Sequence, residues 1–97
     1  MDIDEILSVC TRYLIKNNII YNQFYLNSPE NDSFRYLLEI IIEKYGINSL
    51  IMIIAKEDNR LIDITYTQSI NYTNLINYHR INIISLSRNE KLNELLN

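Results

Sequence analysis

Leu50-Ile51-Met52-Ile53-Ile54-Ala55, a polar turn at Glu57-Asp58-Asn59, and Leu61-Ile62-Asp63-Ile64-Thr65-Tyr66-Thr67 decide the fold class. The first run is apolar throughout and dominated by β-branched residues. The second alternates, with Ile62, Ile64 and Tyr66 on one face and Leu61, Asp63, Thr65 and Thr67 on the other. A period of two describes a strand with one buried and one wet side. Residues 47–67 therefore read as a β-hairpin.

Working outward from the hairpin, the preceding segment opens with Ser28-Pro29-Glu30, a hydroxyl to cap, proline at the first helical position and an acid in the first turn. It predicts a helix over 29–45, closed by Lys44 and by Gly46, the single glycine, in a left-handed C-terminal position. At ~100° per residue, Phe34, Leu37, Leu38, Ile41, Ile42 and Tyr45 share one arc of that helix and Arg35, Glu39 and Glu43 the opposite one. Tyr36 and Ile40 fall outside both arcs, which widens the apolar surface beyond one sheet contact and calls for a second layer, either the first helix or a partner chain.

Nearer the N-terminus, Ile3, Ile6, Leu7, Cys10 and Leu14 recur at spacings of three and four, the stripe of an amphipathic helix over 3–16. Asp2 or Asp4 caps it and Asn17-Asn18 stops it. Ile19-Ile20-Tyr21-Asn22-Gln23-Phe24-Tyr25-Leu26 is rich in β-branched and aromatic residues, which favours a strand. After the hairpin, 69–80 allows a short helix with Tyr72, Leu75, Ile76 and His79 on one side. Residues 81–86 read as a strand, and 88–97 as a helix burying Leu92, Leu95 and Leu96. The resulting order is α-β-α-β-β-α-β-α. The fold class expected is α+β, a ferredoxin-like βαββαβ core with an extra N-terminal and an extra C-terminal helix.

Ninety-seven residues supply one domain, 1–97, and a core without staples. Hydrophobic residues form 47% and charged residues 22%, which excludes a disordered tail, and no apolar run approaches the length of a membrane span. The net charge of −3 and the acidic pI near 5.0 argue against duplex nucleic acid, whose binding rests on a dense cationic field. Met1-Asp2-Ile3-Asp4-Glu5 lacks the basic start of a secretory signal, and Cys10 has no partner for a disulfide, so a cytoplasmic location is expected. Nineteen Ile, 14 Asn and 8 Tyr against one Gly, one Pro and one Ala point to an AT-rich coding sequence of the kind found in viruses and mobile elements. With glycine so scarce, Asn must take the left-handed turn positions.

No catalytic, cofactor or metal set is expected. One histidine, His79, and one thiol, Cys10, are too few for a zinc site. A triad of Ser69 or Ser85 with His79 and Asp63 has no nucleophile turn to support it. Glu39 and Glu43 lie four apart with Arg35 four before Glu39, which is a solvated stripe. Glu57-Asp58-Asn59 lacks the spaced ligands and glycine of a calcium loop.

From Ser49 to Asn97 the order strand, strand, helix, strand, helix resembles the core of GIY-YIG endonucleases, with Ile62-Asp63-Ile64 at the second strand's signature and Glu90 near the expected acid. The Gly-Ile-Tyr and Tyr-Ile-Gly triplets are absent, as is a convincing arginine on the intervening helix, so the resemblance implies a nuclease core without its chemistry.

The eight tyrosines are the most suggestive feature, being large, amphipathic and of the type enriched at protein interfaces. Tyr36, Ile40, Tyr21 and Tyr25 are the candidate partner-binding residues. The expected function is a small intracellular protein-binding module, an inhibitor or adaptor of viral or mobile-element type, acting on an unidentified protein partner or as a homodimer. It uses no cofactor and touches neither membrane nor duplex nucleic acid. The alternative is a nucleic-acid-associated protein, either the degenerate nuclease core or a single-strand binder stacking bases on Tyr21 and Tyr25.

Overall fold

A computed structural model describes residues 1–27, 32–69 and 75–96. Three antiparallel-paired strands carry the hairpin reading: β1 (Leu50–Ala55), β2 (Arg60–Tyr66) and β3 (Tyr78–Asn82), in the order β2-β1-β3. Both outer strands pair antiparallel to β1 and so run parallel to each other with β1 between them. Four α-helices complete the described residues: α1 (Ile3–Lys16), α2 (Gln23–Asn27), α3 (Asp32–Tyr45) and α4 (Ile83–Leu96). The architecture is a small α+β domain.

The alternating arm departs from its expected phase at one point. Ile53 pairs with Asp63 but Ile54 pairs with Leu61, so Ile62 is skipped as a bulge. One extra residue reverses the face on which its neighbours fall. Leu61 therefore packs on the core together with Ile64 and Tyr66, and Ile62 is left exposed. The opposite face of β1 carries Ile51 and Ile53, both buried, between Thr65 and Asp63 on β2 and Asn82 and Arg80 on β3.

α1 forms as its stripe predicts, burying Ile6, Leu7, Cys10 and Leu14. Asp2 is its N-cap, its carboxylate accepting from the Glu5 N–H at 2.8 Å. The helix ends in a Schellman turn: the Ile19 N–H donates to the Leu14 carbonyl and the Asn18 N–H to the Ile15 carbonyl, with Asn18 at φ 54°. Asn59, at φ 52°, turns the β1–β2 hairpin and donates its amide to the carbonyls of Asn17 and Asn18. Both left-handed non-glycine residues among those described are thus asparagines, and together they clasp the hairpin tip to the end of α1. Gly46 has positive φ as expected, but at φ 86° and ψ 154° it lies in an extended region open only to glycine.

The expected strand over 19–26 does not form. Ile20 makes a single parallel bridge, giving its N–H to the Asn59 carbonyl and accepting from Leu61. Asn22 then caps α2 by accepting from Phe24 and Tyr25. A side-chain cap of this kind offers the backbone a local alternative to a sheet ladder, and it overrides the β-branched composition. The four-stranded ferredoxin-like plan is accordingly not present among the described residues. Ser28-Pro29-Glu30 and Tyr72 lie outside them.

The C-terminal elements are displaced toward the N-terminus. A 3-10 turn at Leu75–Asn77 leads into β3, so His79 belongs to a strand, and α4 begins at Ile83, straight from β3. Asn82 makes that change possible: its side-chain Oδ1 accepts from the Ser85 N–H at 2.9 Å while its Nδ2 donates to the Asn48 carbonyl. The earlier start resets the helix phase. Ile83 and Ser87 are buried and Glu90 reaches α1, so Leu92, Leu95 and Leu96 emerge on the far side and are exposed rather than buried.

Candidate functional site

Three helices pack against one face of the sheet, with α1 in the middle. On one flank of α1, Asp4 pairs with Arg35 of α3. On the other, Arg12 grips Glu90 of α4 through two hydrogen bonds of 3.1 and 2.7 Å. α3 lies over β2, and α4 over β1 and β3. The helix layer therefore has two outer members, and each exposes apolar residues.

On α3, Phe34, Leu38 and Ile41 are buried, and Ile42 and Tyr45 pack against the core from its margin. Leu37, which helical spacing assigns to the same arc, is 49% exposed, beside Tyr36 at 64% and Ile40 at 41%. These three side chains are neighbours at spacings of three and four and form one stripe. α1 does not cover it, because α1 sits on the Arg35 side of α3. Asp32, Glu39 and Glu43 border the stripe on the Tyr36 side. Lys44 follows one turn after Ile40 in line with the stripe, its ammonium 5.3 Å from the Tyr45 ring centroid. The Tyr45 ring stacks on Tyr66 with centroids 4.1 Å apart. The hydrogen bond between their hydroxyls lowers the Tyr45 phenol and raises that of Tyr66.

The remaining candidate tyrosines divide. Tyr25 is partly exposed and its ring lies 4.4 Å from that of Phe34, so α2 packs beside the buried arc of α3. Burial, followed by the charge of Asp63, pushes the Tyr25 phenol up. Tyr21 is half-buried and packs against the core, unlike the exposed Tyr25, Tyr36 and Ile40. Phe24, next to Tyr25 in α2, is 66% exposed, and the strand reading of residues 19–26 gives no sign of this.

The residues weighed for catalysis do not converge. His79 lies on β3 opposite Ile54, on the helix-covered face, whereas Asp63 lies on β2 opposite Ile53, on the other face, with β1 between them. Ser85 is taken up by the cap at Asn82. Burial pushes the Cys10 thiol up to about 12, which leaves it unreactive near neutrality. Of the residues that carried the nuclease resemblance, Glu90 is held by Arg12, and Ile62 is displaced by the bulge. Among the described residues no three His, Cys, Asp or Glu side chains come together as metal ligands. No helix there is long and apolar enough to cross a membrane. No protein-family model, curated protein or solved structure matches the chain.

Proposed function

We propose that the protein is a small protein-binding module whose contact face is the outer flank of α3 and α2, with Tyr36, Ile40 and Tyr25 as anchors and Leu37 and Phe24 beside them. It acts inside a cell as an inhibitor or adaptor, by occupying a surface of its partner. The observation that carries this reading is the stripe on α3, where three large apolar side chains at helical spacing stay exposed although the core beneath them is complete. Contiguous apolar surface of this kind marks contact sites, and tyrosine at its centre supplies rigid area with a polar tip. The acidic row of Asp32, Glu39 and Glu43 along one side supplies orientation and selects against acidic partners.

The test compares wild type with Tyr36→Ser/Ile40→Asp, both immobilised and used to capture proteins from cells of the native source. The expected result is a specific protein retained by the wild type and lost by the variant, with the variant's circular dichroism unchanged. A partner retained equally by both forms overturns the assignment of the face.

A further inference from the structure

The two outer helices present stripes of opposite electrostatic character. Leu92, Leu95 and Leu96 form an exposed stripe on α4, with Leu95 at 84%. Arg88 stands in line with it one turn before Leu92, Lys91 borders it on one flank, and Asn89 and Asn93 border it on the other. Neither cation forms an ion pair among the described residues. The acids of α4 are turned the other way, Glu90 being bound by Arg12 and Glu94 lying within reach of the same guanidinium. The stripe on α3 is bordered instead by Asp32, Glu39 and Glu43.

We infer that the α4 stripe of one molecule docks antiparallel on the α3 stripe of a second copy, so that the chains associate head to tail. For the α3 face this rests on the reading above. Laid antiparallel, the α4 helix seats Leu92, Leu95 and Leu96 among Tyr36, Leu37 and Ile40, runs Lys91 along the acidic border at Glu39 and Glu43, and brings Arg88 to the end of the stripe beside Glu43 and Lys44. The two helix dipoles then oppose each other as well. The α3 stripe repels its own kind, since an antiparallel α3 pair brings the acids of the two copies together. α1 separates the two stripes within one molecule, so they cannot satisfy each other internally. The contact is therefore heterologous, and each added copy leaves one stripe free at either end. Six apolar side chains make an interface well below standard size, so a dissociation constant on the order of 100 µM is expected.

Two single variants test this. Ile40→Asp blocks the α3 stripe and Leu95→Asp blocks the α4 stripe, and each alters an exposed position. In sedimentation velocity up to about 1 mM, the wild type should grow beyond a dimer with concentration and shrink as salt is raised. Each variant alone should remain monomeric, with association weakened at least tenfold. The equimolar mixture should form a one-to-one dimer and stop, because each variant keeps the stripe that the other has lost. A wild type that stays monomeric overturns self-docking and leaves the α3 face to the capture experiment. One variant that dimerises alone while the other does not shows a symmetric contact and also overturns it, as does a mixture that stays monomeric.

Discussion

α1 and α4 are both fourteen residues long, and both space leucine and isoleucine at three and four, yet one buries its stripe and the other exposes it. The difference lies in position and phase. α1 is the middle helix of the layer, and its apolar positions, Ile15 apart, fall on the side that meets sheet and neighbours. α4 is an outer helix whose phase is fixed by the cap at Asn82, and that phase aims Ile83, Ser87 and Glu90 inward. Its later leucines are half a turn away. Apolar periodicity thus specifies that a stripe exists, and the point of helix initiation specifies where it faces.

Truncating a leucine in each stripe should have very different costs. Leu14→Ala in α1 removes a fully buried side chain and should cost about 3 kcal/mol, measured by urea unfolding. Leu95→Ala in α4 should cost less than about 0.5 kcal/mol. Equal costs would mean that Leu95 is as buried as Leu14.

Alkaline unfolding reports on the buried side of α1. The Cys10 thiol ordinarily ionises near 9.0 and is pushed up to about 12 by burial on the inner side of α1. The folded state therefore holds its proton more tightly than the unfolded state does. The stability this contributes is complete below pH 9 and is lost as pH rises toward 12. Between pH about 9 and about 11 the loss should be roughly 2 kcal/mol, and Cys10→Ala should flatten the slope by that amount. The same thiol should resist alkylation in the folded protein, and rapid labelling near neutral pH would contradict its placement.

A smaller effect is expected where α1 ends. Asn18→Ala places alanine in the left-handed region and should cost about 1 kcal/mol, whereas Asn18→Gly should be close to neutral. Asn93→Ala, on an exposed turn of α4, should change stability by less than about 0.5 kcal/mol.

The legible parts of the fold were those fixed by long patterns. The stripe of Ile6, Cys10 and Leu14, the arc of Phe34, Leu38 and Ile41, and the two arms around Glu57-Asp58-Asn59 all form elements near their expected bounds. The misread parts turned on single side chains acting through the backbone. Asn22 converts a strand-like run into α2, the skipped Ile62 exchanges faces on β2, and Asn82 starts α4 five residues early. Periodicity carries no record of such caps and bulges. The candidate site followed the same division. Tyr36 and Ile40 were recoverable because they fall outside a clean helical arc, while Leu37 was assigned to that arc and Phe24 to a strand. The α4 stripe could not be read from residues 88–97 alone, since its orientation depends on a cap outside them.

The claim on which the functional reading stands is that the α3 stripe lies outside the core. The thermal melt of Tyr36→Ser/Ile40→Asp tests it most directly. If the stripe is free surface, the variant should melt within about 4 °C of the wild type. If these side chains belong to the core, the new carboxylate would be buried unpaired at a cost of several kcal/mol, and a melting point lowered by more than about 10 °C would contradict the account.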